Sequence, residues 1–353
     1  MPPVGPSSFQ LVSDASQRIE VTWEYNKRLG LLLEDLGLEV FFQAQRGGAG
    51  FGSKRFWSHS LDSFNVGAAL AALTSKIRIM STVQTAYFHP AQVARQAATI
   101  SQIAGPRWML NLVSGWVKPD FDMLDIPFDD HAKRYRRTEE FVTVMKKFWT
   151  EDNFDYDGEF YRIRQGYCEP KPSEIPCLVN AGGSPVAKDF VAKHCDWYFV
   201  GSADPEQSRK DIAEVKEKAK EFNREVKFIT YIFTLCREST SQCEEEMEEV
   251  LSFRDNEAAQ GIVEGLSGQT IGTFAQNFRE GATVDEILEG VVVGVGSAKH
   301  IGTPKQVADQ LAVLQEVGFD AVTTAFRHCE EELIQYGENV VPLLENMGVR
   351  RKR

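Results

Sequence analysis

Between residues 38 and 326, short segments that are apolar almost from end to end alternate with stretches carrying apolar residues at helical spacing. This alternation restricts the fold more than any single motif does. The apolar segments are 38–42, 77–80, 108–113, 177–180, 197–200, 228–235 and 321–326. A strand without polar alternation has both faces turned away from water, as in a parallel sheet with helices packed over it. The stretches 23–36, 63–74, 89–103, 136–149, 185–194, 207–223 and 304–317 supply those helices. Strands and helices in regular alternation predict an α/β fold, a TIM (β/α)8 barrel, as a single domain over 1–353. A doubly wound open sheet would carry a GxGxxG turn near its first strand, and none is present there.

An eighth strand is not evident. Prolines at positions 2, 3 and 6 cannot donate to a ladder, so the first strand is expected to be absent or irregular. The polar, glycine-containing stretch at about 244–299 interrupts the last strand–helix units. It reads as an insertion with its own helices, one over 243–255, lying over the barrel mouth or at a subunit contact. The net charge of -12 argues against a general basic field for nucleic acid. Six scattered cysteines without a CxxC pair suit free thiols in a reducing compartment. No charged and apolar leader and no long apolar run occur, so a cytoplasmic chain without membrane contact is expected.

In such a barrel the reactive groups follow the strands, which directs attention to a few loops. The segment from Asn111 to Asp120 holds an amide, a hydroxyl (Ser114), a glycine, an indole (Trp116) and a carboxylate. That mixture can bond the edge of a polar heterocycle while an aromatic ring packs on its face; it also suits a capped loop with Trp116 in the core. Gly182, Gly183 and Ser184 open a helix, where N–H groups and a hydroxyl can face a phosphate, although a turn with a serine cap fits equally. Arg134 and Tyr135 begin another helix and could serve the same anion, or Arg134 could join Arg136 and Arg137 in an ion-pair face with Glu139 and Glu140. The histidines lack metal-ligand spacing, so no metal site is expected, and no GxSxG elbow is present. Polar groups without hydrolytic machinery point to a bound organic cofactor.

The runs Phe56-Trp57-Ser58-His59, Leu61-Asp62-Ser63-Phe64, Pro90-Ala-Gln-Val-Ala-Arg95 and Asn111-Leu-Val-Ser-Gly-Trp116 resemble the pyrimidine monooxygenase branch of the bacterial-luciferase-like flavin enzymes. The runs Arg134-Tyr-Arg-Arg-Thr-Glu-Glu-Phe141 and Gly158-Glu-Phe-Tyr161 are more similar to its dimethylsulfone branch, with which the alkanesulfonate monooxygenases belong. The resemblance implies a TIM barrel with an insertion, assembled as a homodimer or homotetramer. It implies FMN, received as FMNH2 from a separate NAD(P)H-dependent flavin reductase, with O2 as the co-substrate. By the same resemblance Thr82 and Asn111 face the flavin and the oxygen, and His59 and His328 are the candidate proton carriers. Flavin contacts are implied for Gln45, Arg46, Ser114, Trp116, Asp120, Arg134, Tyr135, Gly182, Gly183 and Ser184. The implied reaction oxidises and cleaves a C–N or C–S bond of a small pyrimidine-like heterocycle, sulfone or sulfonate. An F420-dependent oxidoreductase and a non-catalytic flavin-binding protein of the same fold are the alternatives. Gly105-Pro106-Arg107 replaces the family's usual Gly-Gly-Arg, and Asp120 stands where the pyrimidine branch has glutamate, which leaves the substrate open.

Overall fold

The computed structural model describes residues 11–15, 21–268, 270–272 and 283–352. Its strands are β1 (Val40–Gln43), β2 (Arg78–Gln84), β3 (Trp108–Val113), a hairpin of β4 (Phe154–Asp157) and β5 (Arg162–Gly166), then β6 (Cys177–Asn180), β7 (Trp197–Val200), β8 (Lys227–Cys236), β9 (Ala298–Gly302) and β10 (Ala321–Ala325). Apart from the hairpin, every pairing is parallel, in the order β1-β2-β3-β6-β7-β8-β10. Ile229 and Thr230 pair with β7 and also with β10, whereas Ile232 and Phe233 pair with β10 and with β9. The long β8 therefore carries β9 on the edge that β7 leaves free. No ladder joins β1 to β10 among the described residues, so the sheet is a nearly closed barrel.

Sequence patterning does not reveal the hairpin strands β4 and β5, and the barrel strand it does not reveal is β9, inside the stretch read as insertion, which therefore ends before Ala298. Its polar residues Lys299 and His300 interrupt the apolar run by which a buried strand is recognised. The prolines at 2, 3 and 6 lie outside the described residues, as does 273–282 of the insertion. Leu11 and Ser13 form isolated antiparallel bridges with Val293 and Arg254, away from the barrel ladder.

Helices α1 (Trp23–Asp35), α2 (Ser63–Leu73), α3 (Pro90–Ala104), α4 (Lys118–Met123), α5 (His131–Thr150), α6 (Pro185–His194) and α7 (Pro205–Lys220) follow in chain order. The insertion contributes α8 (Thr240–Ser252), α9 (Asn256–Ser267) and α10 (Val284–Val292), and α11 (Pro304–Val317), α12 (Cys329–Gln335) and, after a π-helical turn, α13 (Val341–Asn346) complete the outer layer. Alternate residues of each strand separate two cores. Ile79, Val83, Leu110, Leu112, Leu178 and Phe228 face the helices, while Phe42, Met80, Met109, Val179, Phe199 and Ile229 fill the barrel interior. A third cluster joins α8, α9 and α10 to Phe56, Trp57, Phe233 and Leu235, with Phe51 and Trp116 packed against it. No helix among the described residues is long and apolar enough to cross a membrane.

Glu34 ties the end of α1 to the turn before β2, accepting from the backbone N–H of Ser75, Lys76 and Ile77. Partial burial opposes its ionisation, but those N–H groups outweigh it and hold the carboxyl down to about 2. A depressed folded pKa contributes stability above the ordinary carboxylate range that is lost as pH falls through the folded value. Glu34→Gln is expected to lose about 1 kcal/mol at neutral pH. Urea denaturation should show the gap to wild type narrowing between the ordinary carboxylate value of 4.5 and about 2; a gap constant over that range contradicts the clamp.

Candidate active site

Register and alternation place three pairs of inward side chains on β2 and β3. Met80 lies opposite Met109, Thr82 opposite Asn111, and Gln84 opposite Val113. The methionines belong to the interior apolar cluster, so Thr82, Asn111 and Gln84 stand above it on the same face, toward the strand ends where barrel sites form. All three are buried. Ser63, at the start of α2, fixes the backbone of Thr82 from behind: its hydroxyl donates to the Thr82 carbonyl at 2.6 Å and accepts from the Thr82 N–H at 3.2 Å.

The hydrogen of Thr82 is committed. Its Oγ1 donates to the Gln43 carbonyl at 2.9 Å, so it can only accept from Asn111, whose Nδ2 lies 3.2 Å away. A carbonyl has no hydrogen to give, so this sequence of bonds fixes which end of the Asn111 amide is which. Asn111 Oδ1 then points away from Thr82, buried and without a partner. The pair thus offers the interior an acceptor, the oxygen of Asn111.

A second group forms where α5 meets the turn from β6 to α6. Asn180 donates to the Leu112 carbonyl at 2.7 Å and its Oδ1 accepts from the Gly182 N–H at 2.9 Å and from the Tyr135 hydroxyl at 3.5 Å. Burial pushes the Tyr135 phenol up to about 12, against the hydrogen bonds to Ser114 and Asn180. Ser114 Oγ lies 2.8 Å from the Thr138 hydroxyl. Arg134 donates to the Asp129 carbonyl and lies 3.4 Å from His131 Nδ1. Burial, then the Arg134 charge, holds His131 below the usual histidine range and keeps it neutral near neutral pH. With Nδ1 accepting from Arg134, Nε2–H donates to Ser184 Oγ at 2.7 Å, and the Ala187 N–H reaches the same oxygen at 3.3 Å. Ser184 therefore keeps its own hydrogen uncommitted at the α6 N-terminus. A side chain at Gly183 would meet nothing within 4 Å, whereas a Cβ at Gly182 would stand 1.8 Å from the Tyr135 hydroxyl.

The third group is structural in its contacts. Gln45 accepts from the Ser63 N–H at 2.9 Å. Arg46, buried, donates to the Trp57 and Ala49 carbonyls at 2.8 and 3.1 Å and lies 5.1 Å over the Trp116 ring. Asp120, fully buried, accepts from the Gly47 and Ala49 N–H groups at 3.2 and 2.7 Å. Trp116 stacks on Phe51 at 6.0 Å and meets Trp57 edge-on at 6.4 Å, with Gly265 of α9 against it. His59 is exposed and bonded to Ser58. His328 opens onto a 380 Å³ surface cavity with Arg237, Glu331, Glu332 and Gln335, and a cavity of 250 Å³ lies beside Glu34 and Arg350; neither has a wall in common with the Thr82–Asn111 pair. Neither histidine is hydrogen-bonded to that pair. Among the described residues no group of three or more histidine, cysteine or acidic side chains could hold a metal.

The model of the luciferase-like monooxygenases matches residues 7–321. The chain belongs to that family. It is 31% identical to the FMNH2-dependent dimethylsulfone monooxygenase of Pseudomonas putida, over 97% of this chain and 93% of the relative. It is 30% identical to the pyrimidine monooxygenase RutA of Klebsiella pneumoniae subsp. pneumoniae, over 97% and 94%. Among solved structures, DmoA from Hyphomicrobium sulfonivorans superposes with a TM-score of 0.83 at 20% identity, covering 97% of this chain and 86% of that one, a likeness of fold.

Sequence reasoning within this luciferase-like chain missed Asn180, His131, Thr138 and Gln84. Asn180 ends a strand beside Ala181-Gly182-Gly183-Ser184 and was within reach of the strand-end criterion; His131 shows its role only once α5 meets α6. Gly182→Ala is expected to destabilise the fold by about 1–3 kcal/mol through its clash with Tyr135. Tyr135→Phe in the same chain should restore part of that loss in thermal denaturation, and no restoration contradicts the packing described.

Proposed function

We propose that this chain is the oxygenase of a two-component system. It takes FMNH2 from a separate NAD(P)H-dependent flavin reductase and uses O2 to oxidise and cleave a C–N or C–S bond of a small heterocycle, sulfone or sulfonate. The observation that carries the reading is the buried, partnerless Oδ1 of Asn111, held in one orientation by Thr82. Such an acceptor above an apolar floor suits the N–H edge of a reduced isoalloxazine ring. The α6 N-terminus, with Ser184 and the neighbouring glycines, suits the phosphate of FMN. The likeness to an FMNH2-dependent dimethylsulfone monooxygenase supports the cofactor, and the likeness to a pyrimidine monooxygenase supports the same class of chemistry.

Bound reduced flavin supplies the electrons that activate O2. The protein contributes position and dryness. Ser184 and the Gly182–Gly183 turn hold the phosphate end, and Asn111 orients the ring. Met80, Met109, Val179 and Phe199 exclude water from below. Phe51, Trp57 and Trp116, backed by the insertion helices, cover the mouth, with Arg46 and Asp120 holding the loop that carries Phe51.

The test is incubation with FMN, a flavin reductase, NADH and a panel of uracil, dimethylsulfone and methanesulfonate under 18O2, read by mass spectrometry. One labelled product is expected. Asn111→Leu should lower its rate on the order of 10²-fold, the scale of losing a placed polar group in a dry site. Absence of label in every product, or an unchanged rate in the variant, contradicts the proposal.

A further inference from the structure

Gln84 stands one inward pair above Thr82 and Asn111, opposite Val113. It is 3% exposed, and its Oε1 is buried without a partner. A carboxamide in that state calls for a ligand, because buried polar atoms in folded proteins are almost always bonded. Charge does not provide one. No arginine hydrogen bond to Oε1 is formed: Arg46 bonds to the Trp57 and Ala49 carbonyls, Arg134 to the Asp129 carbonyl and His131 with its Nε left unpartnered, and Arg327 to Ala15, Glu246 and Glu249. Val113, the register partner of Gln84, is apolar and cannot answer its amide.

We propose that Gln84 determines specificity at this site and selects a small ring with a cis-amide edge, an N–H beside a C=O. A primary carboxamide pairs with that edge through two antiparallel hydrogen bonds, one given and one accepted, whichever way its own amide is turned. A sulfone or sulfonate presents only acceptor oxygens and leaves Oε1 unpaired, and an unpaired buried group is the strongest source of discrimination a polar site has. The inference rests on the flavin-oxygenase reading for the chemistry that follows binding, but the recognition can be measured apart from it.

Isothermal titration of the protein, with and without saturating FMN, should compare 2-piperidone and uracil with N-methyl-2-piperidone, 1,3-dimethyluracil and dimethylsulfone. The N–H compounds are expected to bind at least roughly tenfold more tightly than their N-methyl counterparts and than the sulfone. Gln84→Met should bring that ratio near one. If the methionine variant fails to fold, as judged by circular dichroism, Gln84→Leu also removes the acceptor that the ring N–H would meet and should shrink the same ratio. Equal affinities in wild type, an unchanged ratio in a folded variant, or no binding of either N–H compound would overturn the proposal. Failure to bind FMN, with amide preference retained in the flavin-free arm, would count against the oxygenase reading alone.

Discussion

Burial of the barrel strands on both faces is the constraint on which the rest depends. In a strand covered by helices outside and by packed side chains inside, a polar group that points inward has no water to fall back on. The interior is sealed at one end by stacked rings, Phe42 on Phe199 at 5.4 Å and Phe199 on Tyr231 at 4.3 Å. Above that plug the inward positions of β2 and β3 turn polar within one residue pair. The change from Met80 and Met109 to Thr82 and Asn111 marks the boundary between a packed core and a site.

What makes the boundary informative is that its hydrogens can be counted. Thr82 has one, given to Gln43; Asn111 must then turn its nitrogen toward Thr82 and its oxygen toward the interior. The same counting at the α6 N-terminus runs from Arg134 through His131 to Ser184 and leaves the serine hydrogen available. The two groups are neighbours in the sheet, since Asn180 donates to the carbonyl of Leu112, the residue after Asn111. Around them, Gln45, Arg46 and Asp120 use their polar atoms on the backbone of the loops and on α2. Arg46 and Asp120 thereby tie down the 47–57 loop that carries Phe51 and Trp57, and Gln45 caps the start of α2.

Much of this was legible in the chain, and the gaps have physical causes. Continuous apolar runs identified the strands because two-faced burial leaves no alternation to confuse them. The same rule ended β2 at Met80, where the structure continues to Gln84: Ser81 bonds behind the sheet to Ser63, and Thr82 and Gln84 face the interior, so the polarity that stopped the reading is the site itself. It also hid β9, whose Lys299 and His300 look like loop. The turn at Gly182 to Ser184 was visible as an anion site, yet His131 was not, because its partner lies 53 residues away. Asp120 and Arg46 were expected at the flavin from resemblance; their bonds to the 47–57 loop follow from a chain reversal that local sequence does not encode.

The central claim is that one end of the site is built for an N–H edge, met by the Asn111 oxygen, and the other for a phosphate. It is tested most directly by titrating the protein with FMN and with riboflavin, which differ only in the phosphate, and following flavin fluorescence. The account predicts that FMN binds at least roughly tenfold more tightly than riboflavin, the scale of one placed anion contact. Equal affinities for the two would contradict it.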